Sequence, residues 1–218
     1  MSSSPTAPTS TTASSTSSPS DSPPEAGVIA CGALAGHVRQ IAARRGWAVE
    51  VYPLAPLLHN RPALIAAEVE AVVEAARGRH RRLAVAYADC GTYGALDAVC
   101  ERHGLARLRG EHCYDVFAGP DARKLAEEEP GTYFLTDYLV RTFHRSVVAE
   151  LGLDRYPGLR DAYFAHYRRA VWLAQLPTPE LRALAVRAAE LLGLPLVVRE
   201  TGDENLELGL RELLEPGS

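Results

Sequence analysis

An α/β fold is predicted for this chain: a mostly parallel, Rossmann-like sheet covered by helices on both faces. Three observations carry that reading. A unit of helix, glycine stop and short apolar strand recurs along the sequence. The strand candidates are continuous runs of Val, Ile, Leu and Ala without polar alternation, the pattern of strands buried on both sides. Reactive side chains then gather just after the strands, where an open parallel sheet builds its ligand crevice.

The elements follow in order. Val28–Ala30 reads as the first strand, and a helix after it ends near Arg45, with Gly46 as its stop. A strand follows near Ala48–Tyr52. Pro62 starts a helix running to about Arg77, and Leu83–Ala88 is the next strand. Leu96, Val99, Cys100 and His103 share one helical stripe before the stop at Gly104, and a strand is expected near Leu105–Leu108. Further strands are expected at Thr132–Leu135 and Ala170–Ala174, with a helix near Gly158–Arg169. Thr178-Pro179-Glu180 opens a helix with a cap residue and a first-turn proline. Gly193 stops it before a last strand near Leu196–Arg199. An internal echo suggests two βαβ half-repeats, because "VIACGALAGHVRQIAARRG" and "VAYADCGTYGALDAVCERHG" both run strand, Cys-Gly, helix, glycine stop.

Composition narrows the function classes. Residues 1–26 are Ser, Thr and Pro runs with almost no large apolar side chains, so a disordered tail is expected there, without a secretory signal. Residues 27–218 are the size of one ordinary domain. No apolar stretch is long enough to span a bilayer, which predicts a soluble protein without a membrane partner. The formal charge is −4 with 23 Lys+Arg against 27 Asp+Glu. The basic residues form no coherent face, so nucleic acid is set aside as a partner. Four cysteines lack any CxxC pair and any secretion signal, which points to reduced thiols and a cytoplasmic location.

The stretch "YADCGTYG", residues 87–94, places a carboxylate, a thiol and two glycines where an apolar strand ends. Other strands end similarly: in Cys31-Gly32, in His59-Asn60-Arg61, in Glu111-His112-Cys113, in Thr136-Asp137 and in Thr201-Gly202-Asp203-Glu204. Cys31 and Cys90 sit where strand gives way to helix, a setting that favours thiolate. Three thiols and two imidazoles from separate strand ends suit zinc, iron, cobalt or copper. The competing reading is that a lone cysteine after a strand is a small core residue. That reading wins for Cys100, whereas the Cys-Gly pairs at Cys31 and Cys90 favour function. His37, His80, His144 and His166 are expected to be solvated or satisfied. No dinucleotide fingerprint, phosphate loop, nucleophile elbow or HExxH helix is present.

The segments "VIACGAL", "LLHNRP", "VAYADCGTYGALD", "GEHCYDVFAG", "EEEPGTYFLTDYLVR" and "HYRRAVWLAQ" together resemble the bacterial and archaeal family called domain of unknown function 1638. The resemblance covers residues 27 to about 210. Members often occur near corrinoid-dependent methyltransferases, so it implies an accessory to cobalt-cofactor chemistry, with corrinoid methyltransferase proteins as partners. The family's polar motifs fall on Cys31, His59, Asn60, Arg61, Asp89, Cys90, Gly91, His112, Cys113, Thr136 and Asp137. Where such relatives often read CGTGG, this chain reads CGTYG, with Tyr93 in place of a small residue.

Three hypotheses result. The first is a metal- or metallocofactor-binding protein with Cys31, Cys90 and Cys113 as ligands. His112 or His59 completes the shell, and Asp89 orients or deprotonates a ligand. Asn60, Arg61, Gly91, Thr92, Thr136 and Asp137 would line the small-molecule or cofactor site. The second is a metal-free thiol enzyme with Cys90 as nucleophile, His112 as base and Arg61 clamping a small anionic substrate. The third is a non-catalytic partner-binding module using the same cleft.

Overall fold

The structure, a computed structural model, describes residues 25–215. The expected tail at residues 1–26 therefore lies almost wholly outside the described residues.

The first half of the fold contains β1 (Ala26–Cys31), α1 (Ala35–Arg45), β2 (Val49–Leu54), α2 (Ile65–Ala76), β3 (Arg82–Ala86) and α3 (Ala95–His103). The second contains α4 (Cys113–Ala118), α5 (Pro120–Glu128), β4 (Thr132–Thr136), α6 (Asp137–Phe143), α7 (Leu159–Phe164), β5 (Arg169–Ala174), α8 (Pro179–Leu192), β6 (Leu196–Glu200) and α9 (Glu204–Leu214). The expected parallel sheet is present as two sheets of three strands, in the orders β2-β1-β3 and β4-β5-β6. Every strand pair in both is parallel. The central strands are the most buried: Val28 to Ala30 and Ala170 to Ala174 are fully enclosed. These are the apolar runs that read as two-sided strands in the sequence.

Glycine stops act as expected. Gly46, Gly104 and Gly193 end α1, α3 and α8 in the left-handed conformation, where a Cβ is costly. The expected strand at Leu105–Leu108 is reduced to a single parallel bridge between Val85 and Arg107. Leu108 N–H donates to Val85 O and Val85 N–H to Ala106 O before the chain turns away at Gly110. The helix expected over Gly158–Arg169 is shorter, Leu159–Phe164. The two echoing sequence units are β1–α1 and β3–α3, neighbours in the first sheet, so the echo lies within one half of the fold.

The halves interlock. Val116 and Phe117 of α4, with Leu206 and Leu210 of α9, belong to the core of the first sheet. Arg44 of α1 reaches Asp203 at 3.0 Å and also pairs with Glu207. The last helix thus returns across the molecule and fastens to the first.

Candidate functional site

The carboxyl ends of β1, β2 and β3 are pressed together by two glycines. A Cβ on Gly32 would stand 2.5 Å from Leu54 O and 2.8 Å from Pro56 Cδ, so only glycine lets the β1 exit pass the β2 exit. A Cβ on Gly91 would meet Pro62 at 3.5 Å, which places the His59–Pro62 segment beside the Cys90 loop. Further support comes from the far side, where Asp89 N–H donates to Gly110 O and Cys90 N–H donates to Glu111 O at 2.7 Å. These bonds draw the segment before α4 onto the β3 exit.

Asp89 organises its own loop. Its carboxylate accepts from Gly91 N–H (3.1 Å), Thr92 Oγ1–H (2.6 Å), Tyr93 N–H (3.2 Å) and Gly94 N–H (3.3 Å). Partial burial raises its pKa, but the Thr92 hydroxyl and the three N–H donors outweigh that and hold it below its ordinary value. This clamp imposes left-handed backbone on two non-glycine residues, Cys90 and Tyr93, both at φ 50°. Tyr93 is 96 % exposed. Its backbone conformation is one that glycine adopts freely, which explains why a small residue suits that position.

The three thiols named from the sequence all border the core of the first sheet. Cys31, Cys90 and Cys113 each lie within electrostatic reach of the other sulfurs and of the Tyr87 hydroxyl. The backbone N–H of Cys113 opposes part of the burial effect on the Cys90 thiol. Cys31 is 5 % exposed; Cys90 and Cys113 are half-buried and pack against the first core. Tyr87 is fully buried, yet its hydroxyl lies against the Cys31 sulfur without a well-directed hydrogen bond to any group. This buried hydroxyl beside the thiols is the centre of the candidate site.

The electrostatics correct the thiolate expectation. Burial raises all three thiols: Cys90 is pushed up to about 12, with the charges of Cys31 and Asp89 adding to desolvation. Cys113 is also raised, by enclosure and then by Cys90 and Cys31. Cys31 is raised by burial against the opposing effects of Ala33 N–H, the Tyr87 hydroxyl and Leu34 N–H. Enclosure thus outweighs the nearby helix starts, and the thiols are protonated at neutral pH. Among the described residues no three His, Cys, Asp or Glu side chains stand as a ready-made metal shell.

The remaining candidates divide. His112 is exposed, precedes the first residue of α4 and tilts its ring against Tyr114 at 4.9 Å. His59, Asn60 and Arg61 are exposed on the loop after β2, with His59 Nδ1 2.7 Å from Pro56 O. Thr136 and Asp137 lie at the end of β4 in the other sheet. Thr136 caps α6 by accepting from Leu139 N–H at 3.3 Å. Asp137 is 2 % exposed, and its carboxylate accepts from Trp172 Nε1–H (2.9 Å), Gln175 N–H (3.2 Å) and Leu176 N–H (2.8 Å). Its bonds tie the ends of β4 and β5 together.

Sequence reasoning passed over two residues. Tyr87 closes the β3 apolar run, and a polar aromatic at a strand exit beside a cysteine was the available signal. His37 was expected to be solvated or satisfied, but its Nδ1 is buried without a hydrogen-bond partner. Its ring packs edge-on to Phe117 at 5.1 Å. Burial lowers its pKa despite the nearby charges of Asp137 and Asp203. Cys100, 4 % exposed, is core as expected.

No curated protein and no solved structure matches the chain. A family model described as "Protein of unknown function" matches residues 54–209, which includes Asp89, Cys90 and Cys113 and leaves out Cys31. The match spans most of the sequence, and the chain therefore belongs to that family, DUF1638.

Proposed function

We propose that the cluster of Cys31, Cys90, Cys113 and Tyr87 takes up a thiophilic transition metal, alone or within a metallocofactor. The observation that carries this reading is the grouping of three sulfurs from three separate chain exits near the buried Tyr87 hydroxyl, which makes no well-directed hydrogen bond. Each thiol, once ionised, raises the cost of ionising the next. A soft cation is the species that relieves such mutual repulsion and prefers sulfur donors. Because the side chains do not form a finished shell, binding requires the sulfurs to close around the ion, with a further donor from Tyr87 or from the incoming ligand. Zinc, iron and cobalt all suit the donor set, and a corrinoid is the cofactor that the family resemblance suggests.

The metal-free thiol enzyme is less well supported. A nucleophile needs thiolate, and all three thiols are shifted the other way. Its proposed base, His112, is an exposed residue at a helix start.

The test is anaerobic titration of the reduced full-length protein with cobalt(II), followed by absorption and by proton release. Uptake of about one equivalent, with sulfur-to-cobalt charge-transfer bands and release of more than one proton per ion, is expected. Cys90→Ser and Cys113→Ser should each remove most of the intensity. Absence of stoichiometric uptake at neutral pH would overturn the reading.

A further inference from the structure

Helix α8 buries one face and leaves the other without a covering. Leu181, Ala185, Ala188, Ala189 and Leu192 pack inward, onto the core of the second sheet. The outward face carries Ala183, Val186, Arg187, Glu190 and Leu191 at helical spacing, with Val186 41 % and Leu191 52 % exposed. Arg182, on the same helix, is engaged by Glu200 at 3.8 Å and by the face of Trp172. Neither Arg187 nor Glu190 has a side-chain partner among the described residues. Beside this face runs a groove of about 750 Å³, walled by Leu153 and Pro157 opposite Leu191.

We propose that this face is a self-association surface, on which a second copy of the chain docks its own α8 in antiparallel orientation. The charges argue for this occupant. Arg187 and Glu190 lie on either side of Ala188 and Ala189, in the C-terminal half of the helix. A two-fold crossing at that level brings Arg187 within reach of Glu190 of the partner subunit, and does so twice. A parallel crossing would set Arg187 against its own image. Val186 and Leu191 flank the crossing and lose their exposed apolar area there, while the groove receives the side chains at the partner's helix end. The surface lies on the second sheet and is independent of the thiol cluster.

The experiment is analytical ultracentrifugation of the full chain with charge reversals. The wild type is expected to sediment as a dimer of the 23.6 kDa chain. Arg187→Glu alone and Glu190→Arg alone should each weaken the dimer by about tenfold or more, because each replaces two attractions with two repulsions. The combined exchange R187E/E190R should restore it. Leu191→Asp is a second route to the same loss, through the apolar contact, and an unchanged melting curve in these exposed variants keeps the readout on association. A monomeric wild type would overturn the proposal. So would a dimer indifferent to every single reversal, or one that the double exchange fails to rescue.

Discussion

The Tyr87 hydroxyl lies against the Cys31 sulfur at the carboxyl ends of two adjacent parallel strands, fully buried and without a well-directed hydrogen bond. A buried hydroxyl in that condition costs the fold roughly 1–3 kcal/mol of desolvation. Tyr87→Phe should therefore raise stability by about 1 kcal/mol in metal-free protein, measured by urea unfolding. The same change should weaken cobalt(II) uptake. A loss of stability would show that the hydroxyl is satisfied in solution.

Asp89 gathers four donors, and its removal should release the loop. Asp89→Ala is expected to cost about 2–3 kcal/mol, measured by chemical denaturation. Its folded pKa is depressed, so its contribution is present in full above the ordinary carboxylate range and disappears as pH falls through the folded value. Wild-type stability should thus fall more steeply than that of Asp89→Asn between about pH 4 and lower values. Parallel acid profiles would contradict the clamp.

Tyr93 pays for left-handed backbone without burying its ring. Tyr93→Gly should stabilise the fold by about 1 kcal/mol, the relief of strain exceeding the added chain entropy. Melting curves decide this, and a lower melting temperature would mean that the ring is engaged in a way its exposure does not reveal.

The thiols are held protonated by enclosure. Iodoacetamide at neutral pH should modify Cys31, Cys90 and Cys113 at least about tenfold more slowly than free cysteine. The Cys90 rate should keep climbing with pH towards its value of about 12. Mass mapping of the modified peptides gives the order. Rapid labelling of Cys90 alone at neutral pH would revive the nucleophile reading.

Much of the fold was legible because its signals are local. Gly46, Gly104 and Gly193 announce helix ends through backbone freedom, and Thr178 announces a start through its side chain, which accepts from Leu181 N–H at 3.2 Å. The split into two sheets was not legible, because strand order follows from which helices cover which faces. The return of α9 to the first core through Leu206 and Leu210 leaves no local mark. The site was half legible. Cysteines after strands were visible as candidates, and in the structure Cys31, Cys90 and Cys113 all border the core of the first sheet. Their protonation state was not readable, since it depends on enclosure by α4 and on mutual charge. Asp137 shows the same limit: a carboxylate at a strand exit resembles a ligand group, yet here it is spent on three donors around Trp172.

X-ray absorption at the metal edge of the cobalt- or zinc-loaded protein tests the central claim most directly, because it counts the sulfur neighbours of the ion. About three sulfurs near 2.3 Å are predicted, falling by one in Cys31→Ser, whose residue comes from the strand outside the matched family segment. A first shell of nitrogen and oxygen alone, or a sulfur count unchanged by Cys31→Ser and Cys113→Ser, would contradict it.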